Sequence, residues 1–161
     1  MRRTLLNSLP GAAITWVKIE GVQHEYSSID GMSEGVIELL LNFKKIRLKA
    51  LSERSGKMRL DIKGEGQIVA GDIMTSADFE IVNPELYLAT IDKSSGKLSV
   101  EFNVEQGVGY IPSDRFAQED LGIGFLPVDS IFSPVRKVNY EVEDLRIGNE
   151  TNLEKLTLEI W

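Results

Sequence analysis

Apolar positions along the chain change period more than once, and each change marks a new kind of element. Leu5, Leu6 and Leu9 recur at spacings of three and four, a helical rhythm over residues 2–9 that Pro10-Gly11 ends. Residues 12–20 (AAITWVKIE) are rich in β-branched and aromatic types and predict a strand, from which Gly21 breaks toward a second short strand, Val22 to Ser27. Asp30-Gly31 is a turn signal. Ser33 follows as the predicted N-cap of a helix, with Met32 placed to staple against Ile37. On that helix Val36, Leu39, Leu40 and Phe43 share one face, and Glu34, Glu38, Asn42 and Lys45 share the other. Lys44, seven residues after Ile37, sits on the shoulder of the apolar face.

From Ile46 the period becomes two. Ile46, Leu48 and Ala50 alternate with Arg47 and Lys49, residues 53–57 (ERSGK) turn the chain, and Met58, Leu60 and Ile62 alternate again. That pattern predicts a hairpin. Residues 64–76 hold Gly64, Gly66 and Gly71 and predict loop or very short elements. Strands are predicted at Phe79 to Val82 and Leu86 to Ile91, parted by Asn83-Pro84, and again along Leu98, Val100, Phe102 and Val104 after the turn at 94–97. Residues 105–134 show little periodicity, and an irregular stretch of that length is usually functional or flexible. Alternation resumes at Val138, Tyr140 and Val142 and closes with a strand from Leu156 to Trp161. Strands that alternate belong to antiparallel sheets with one wet face. The class is therefore α+β, strand-dominated, with one main amphipathic helix.

Composition narrows the function classes. The chain has 161 residues, no cysteine, one histidine and a net charge of −7, which fits one domain or two small ones. Without cysteine there is no disulfide framework or thiolate metal site. No apolar run approaches the ~18 residues a membrane span needs, and no secretory signal is visible, so a cytoplasmic protein is expected. The acidic balance argues against holding a nucleic-acid backbone. The termini read as cut: Arg2 and Arg3 oppose the dipole of a helix start, no N-cap precedes them, and a strand runs straight into Trp161. A fragment of a longer protein is the expectation.

Candidate chemistry is thin. His24 is the only imidazole, and in a strand its neighbour Glu25 would point to the opposite face. Gly107-Val108-Gly109-Tyr110 lacks the helix that a dinucleotide fingerprint opens into, so a turn with one backbone position at positive φ is expected there. Ser113-Asp114 and Asp129-Ser130 could be triad fragments, but neither has a histidine or a nucleophile-elbow pattern in sequence reach. Two readings stay open: an enzyme using His24 with Tyr110 or Asp114, and an acidic protein-binding module. Arg2 and Arg3 lie about 100° apart on a helix. Either both are solvated, or one pairs within the fold while the other reaches a partner.

Longer blocks carry more information. RRTLLNSLPGAAIT, GVQHEYSSIDGMSEGVIELLLNFK, GYIPSD, LPVDSIFSPVRKVNYEVED and TNLEKLTLEIW together resemble the bacterial RNA polymerase alpha subunit, N-terminal domain, over essentially the whole chain. The resemblance implies an α+β insert subdomain at residues 10–134, with 1–9 and 135–161 as parts of a dimerisation subdomain. It implies an assembly role, in which an alpha homodimer recruits the beta and beta-prime subunits. Nucleotidyl transfer and its magnesium then belong to those large subunits, and this chain is expected to supply no catalytic residue, cofactor or metal site. By the same resemblance Arg3 and Leu6 match positions that face beta, and Lys44 and Val128 match positions associated with beta-prime. Glu119 and Asp120 match only by acidity a region approached by regulators. No direct DNA contact is expected from these residues.

Overall fold

The computed structural model describes residues 1–117, 122–147 and 150–161. The elements run α1 (Arg2–Asn7), β1 (Pro10–Ile19), α2 (Val36–Phe43), β2 (Leu48–Ala50), β3 (Gly56–Lys63), β4 (Gly66–Val69), β5 (Phe79–Ile81), β6 (Tyr87–Ile91), β7 (Lys97–Val108), β8 (Tyr110–Ile111), α3 (Ser113–Ala117), β9 (Phe125–Pro127), β10 (Ser130–Ile131), β11 (Val138–Ile147) and β12 (Glu150–Ile160), with a 3-10 turn at Ala70–Asp72. Every pairing between strands is antiparallel. The α+β, strand-dominated expectation holds.

The main sheet has the order β3-β7-β1-β2-β5, with β9 also on β1. Alternation explains its two faces. Met58 and Leu60 on β3 and Leu98, Val100, Phe102 and Val104 on β7 point into the core, while Lys57 and Glu101 pair on the wet side at 2.6 Å. Helix α2 covers the core face through Val36, Leu39 and Phe43, whose ring meets Phe102 edge-on with centroids 4.9 Å apart.

β1 breaks the parity rule at Thr15. Its register with β7 shifts between Ile14 and Trp16, so an extra residue sits in β1. A bulge reverses the facing of every residue beyond it. That is how Ile14 on one side of the bulge, and Val17 and Ile19 on the other, all reach the same core.

Four local expectations are corrected. The hairpin expected from residues 46–62 does not form: β2 pairs with β1 and β5, whereas β3 pairs with β7. Both segments alternate, and alternation does not specify a partner. The strand expected at Val22 to Ser27 is a pair of turns, with the Val22 N–H on the Ile19 carbonyl and the Ser27 N–H on the His24 carbonyl. Only Val22 is buried there, so no apolar face repays a strand. Ser33 does not cap α2. Its hydroxyl donates to Asp92 at 2.5 Å instead, and the N-cap is Gly35, whose N–H donates to the Glu38 carboxylate at 3.3 Å. The last strand also begins earlier than expected, and β12 pairs along β11 from Glu150 to Ile160.

Candidate functional site

The bulge in β1 organises the region around Asp129. A bulged residue leaves ladder groups free, and the Thr15 carbonyl accepts the Val128 N–H at 2.9 Å. One residue earlier, the Ile14 carbonyl accepts the buried Ser130 hydroxyl at 2.8 Å. These two bonds hold residues 128–130 against β1 and fix the direction of Asp129 between them. The Asp129 carboxylate accepts from the Lys44 ammonium at 2.7 Å through one oxygen and from the Ser113 N–H at 2.9 Å through the other. Lys44 is the residue at the end of α2, so this single carboxylate ties together the main helix, the start of α3 and the strap leading to β10.

Of the residues expected to act together, Lys44 and Val128 are thus neighbours through Asp129. Lys44 keeps 27% of its side chain exposed, while the Val128 side chain lies in the core. Asp129 itself carries the only large shift among the described carboxylates. The Lys44 hydrogen bond, reinforced by the Ser113 N–H, outweighs its partial burial and holds its carboxyl down at about 2 instead of 3.8. A carboxylate depressed in the folded state stabilises above its unfolded value and loses that contribution as pH falls through its folded value. Asp129→Asn should therefore lower stability to urea by ~1–2 kcal/mol at neutral pH, a range discounted for solvent exposure. The wild-type and variant curves should approach each other between 3.8 and about 2. A constant gap across that window would detach the loss from this titration.

Arg3 and Leu6 stand elsewhere, on α1, which lies against β11. Arg3 is exposed and Leu6 half-buried. Arg2 and Arg3 flank an apolar hollow lined by Tyr140, Leu156 and Leu158. Neither arginine forms an ion pair among the described residues. Both side chains are exposed. Glu119 and Asp120 lie outside the described residues.

No catalytic grouping assembles around His24. Its Nδ1 is 3.2 Å from the Ser27 hydroxyl, three residues on and exposed, and its hydrogen bonds among the described residues include neither Tyr110 nor Asp114. The Asp129-Ser130 fragment is absorbed by structure: the Asp129 carboxylate and the Ser130 hydroxyl are spent on the bonds above. Gly109 takes the positive φ expected of a turn, +75°. No set of three or more metal-ligating side chains converges among the described residues, and no helix there is long and apolar enough to cross a membrane.

The Thr15 bulge escaped the sequence reading, and Asp129 entered it only as a triad fragment, not as the partner of Lys44 and Ser113. The available signal was the pair of polar residues, Asp129 and Ser130, between apolar Val128 and Ile131, but nothing local says that their partners lie on β1 and α2.

Comparison with known proteins covers the same segments. Over its whole length the chain is 52% identical to the DNA-directed RNA polymerase subunit alpha of Symbiobacterium thermophilum. It is 51% identical to the subunits of that name from Desulfitobacterium hafniense and Moorella thermoacetica. It spans about half the length of these curated relatives, 51% of each. The model of the RNA polymerase Rpb3/RpoA insert domain matches residues 17–133, from the strand that carries the bulge through the strap that carries Asp129. The chain belongs to the RNA polymerase Rpb3/RpoA insert domain family.

Proposed function

We propose that this chain is an assembly platform of bacterial DNA-directed RNA polymerase, acting in the cytoplasm as part of an alpha subunit that dimerises and recruits the beta and beta-prime subunits. The observation that supports this most strongly is the identity of about half its residues, over the whole chain, with subunits of that name. The proposal divides the chain into an insert subdomain at 10–134 and parts of a dimerisation subdomain at 1–9 and 135–161. It assigns two docking surfaces. Arg3 and Leu6 on α1 face beta, and the partly exposed Lys44–Asp129 pair faces beta-prime, with buried Val128 as its floor. Glu119 and Asp120 are assigned an accessory contact for regulators. Catalysis then belongs to the partners, in keeping with the solitary His24.

The two surfaces differ in physics. Among the described residues Arg3 is a guanidinium without an ion-pair partner, able to take a carboxylate in a bidentate fork. Lys44 is already neutralised by Asp129, so that surface offers a fixed, polar, shape-specific contact instead of a free charge. A tagged full-length alpha subunit carrying this sequence, co-expressed with both large subunits, should bring both down in a fixed ratio. Recovery of alpha alone, under conditions where a relative's alpha assembles, would contradict the proposal.

A further inference from the structure

A second cleft, distant in role from the surfaces above, opens where the start of β1 meets β2. The reason is topological. β1 and β2 share a single register pair, Ala12 with Leu48, so on that side of β1 the edge at Pro10 and Gly11 has no neighbouring strand. On the other side β1 is fully paired with β7. The resulting hollow measures about 640 Å³. Pro10, Leu48, Val82 and Pro134 supply apolar wall, and Arg47, Lys49 and Arg136 line the same space. Among the described residues no Asp or Glu lines it, in a chain whose net charge is −7.

Arg47 is the unusual member. Its backbone is pinned on both sides, the N–H on the Asn83 side-chain oxygen at 2.8 Å and the carbonyl receiving the Val82 N–H at 2.9 Å. Its side chain is half-buried, and its Nε–H is fully shielded without a hydrogen-bond partner. A shielded donor left unmade is costly. Burial and the neighbouring Arg136 charge both press against the Arg47 charge, which a guanidinium nonetheless keeps. Arg136 is held in place through its N–H, which donates to the Trp161 carbonyl at 2.7 Å. Two like charges are therefore fixed at one apolar cleft with no counter-ion among the described residues.

We propose that this cleft receives a carboxylate side chain carried on an apolar segment of a partner polypeptide, gripped by Arg47 and Arg136. A carboxylate would relieve the repulsion between the guanidiniums and accept a planar fork from their accessible N–H groups. The apolar wall selects a peptide with apolar flanks over a nucleic-acid strand, whose phosphates would also meet an acidic chain overall. None of Arg3, Leu6, Lys44 and Val128 lines this cleft, so its occupant adds to the contacts proposed above and can be tested without polymerase subunits.

The test is NMR observation of the Arg47 Nε–H resonance in the whole chain, with Nα-acetyl-Leu-Glu-Leu amide as the probe. The peptide should move that resonance downfield and saturate in the millimolar range, as a short ligand with one charged contact should. Arg136→Gln, an exposed position, should weaken the peptide about tenfold, the scale of one charge-assisted bond. Arg47→Lys should weaken it as well, because charge without the fork is retained. Nα-acetyl-Leu-Gln-Leu amide and an oligo-dT strand should leave the resonance unmoved. Four results would each overturn the proposal: no shift by about 10 mM peptide, an equal shift with the glutamine peptide, a stronger response to oligo-dT, or a shift produced by raising the concentration of the protein alone, which would make a second copy the occupant.

Discussion

Gly11→Ala should destabilise the chain by about 3 kcal/mol, the upper end of what overpacking normally costs. Gly11 is not at positive φ, so the reason is space. A Cβ there would stand 1.9 Å from the Phe132 carbonyl oxygen and 3.0 Å from its carbon. The obstacle is backbone, with little freedom to move. The Phe132 N–H is bonded to the Gly109 carbonyl at 2.8 Å, and the Phe132 ring lies over Gly107, where an added Cβ would be 2.9–3.0 Å from ring atoms. Gly107 is in turn the register partner of Gly11. Two facing glycines thus make the bed on which the segment after β10 crosses the β1–β7 ladder. Alanine must push that segment away, together with the strap that carries Asp129. Urea titration should show a large fall in midpoint. Gly35→Ala, where nothing lies within 4 Å, should stay within about 1 kcal/mol. Equal midpoints for the two variants would remove the crossing from the account.

That crossing also marks the limit of what the sequence makes legible. Elements whose burial is decided by their own period are readable. Leu98 to Val104 and Met58 to Ile62 alternate because one face is wet, and Val36, Leu39 and Phe43 recur because one helix face is dry. Partner choice is not readable by the same means. Leu48 and Met58 both sit in alternating segments a short turn apart, yet one ends beside Ala12 and the other beside Phe102. Position along the chain favours the hairpin, and long-range packing overrides it. Parity fails at Thr15 for a related reason. An apolar run through Ala13, Ile14, Thr15, Trp16 and Val17, all buried, conceals the bulge that reverses facing in its middle. The short strands inside 105–134 are similarly invisible, since Phe125–Pro127 and Ser130–Ile131 are too brief to show a period.

The candidate site follows the same division. Lys44 and Val128 entered through resemblance, and the structure places them beside Asp129, whose pairing with Lys44 no local pattern indicates. The surroundings of His24 are legible more directly. One histidine in a polar stretch offers little to a triad, and its ring bonds only the nearby Ser27 among the described residues. What resemblance could not supply is the cleft at Arg47 and Arg136, formed by residues nearly ninety positions apart in sequence.

Arg3→Ala should have the largest functional effect. Arg3 is exposed on a short helix that lies against β11, and it has no ion-pair partner among the described residues. Its removal should cost the fold little, because an exposed side chain away from caps and core usually contributes within about 0.5 kcal/mol. At an interface the same guanidinium is worth more. Truncating one member of a desolvated charge pair commonly costs about 2–5 kcal/mol, so binding should weaken by about thirtyfold or more. Lys44→Ala, acting at the other surface, should leave beta binding near the wild-type level. Size-exclusion reconstitution of purified beta with a full-length alpha subunit carrying this sequence separates these outcomes. The account predicts that wild-type and Lys44→Ala alpha co-elute with beta, while Arg3→Ala alpha elutes as a folded dimer without it. Co-elution of Arg3→Ala alpha with beta at wild-type affinity would contradict the claim that this chain works through its surfaces as assigned.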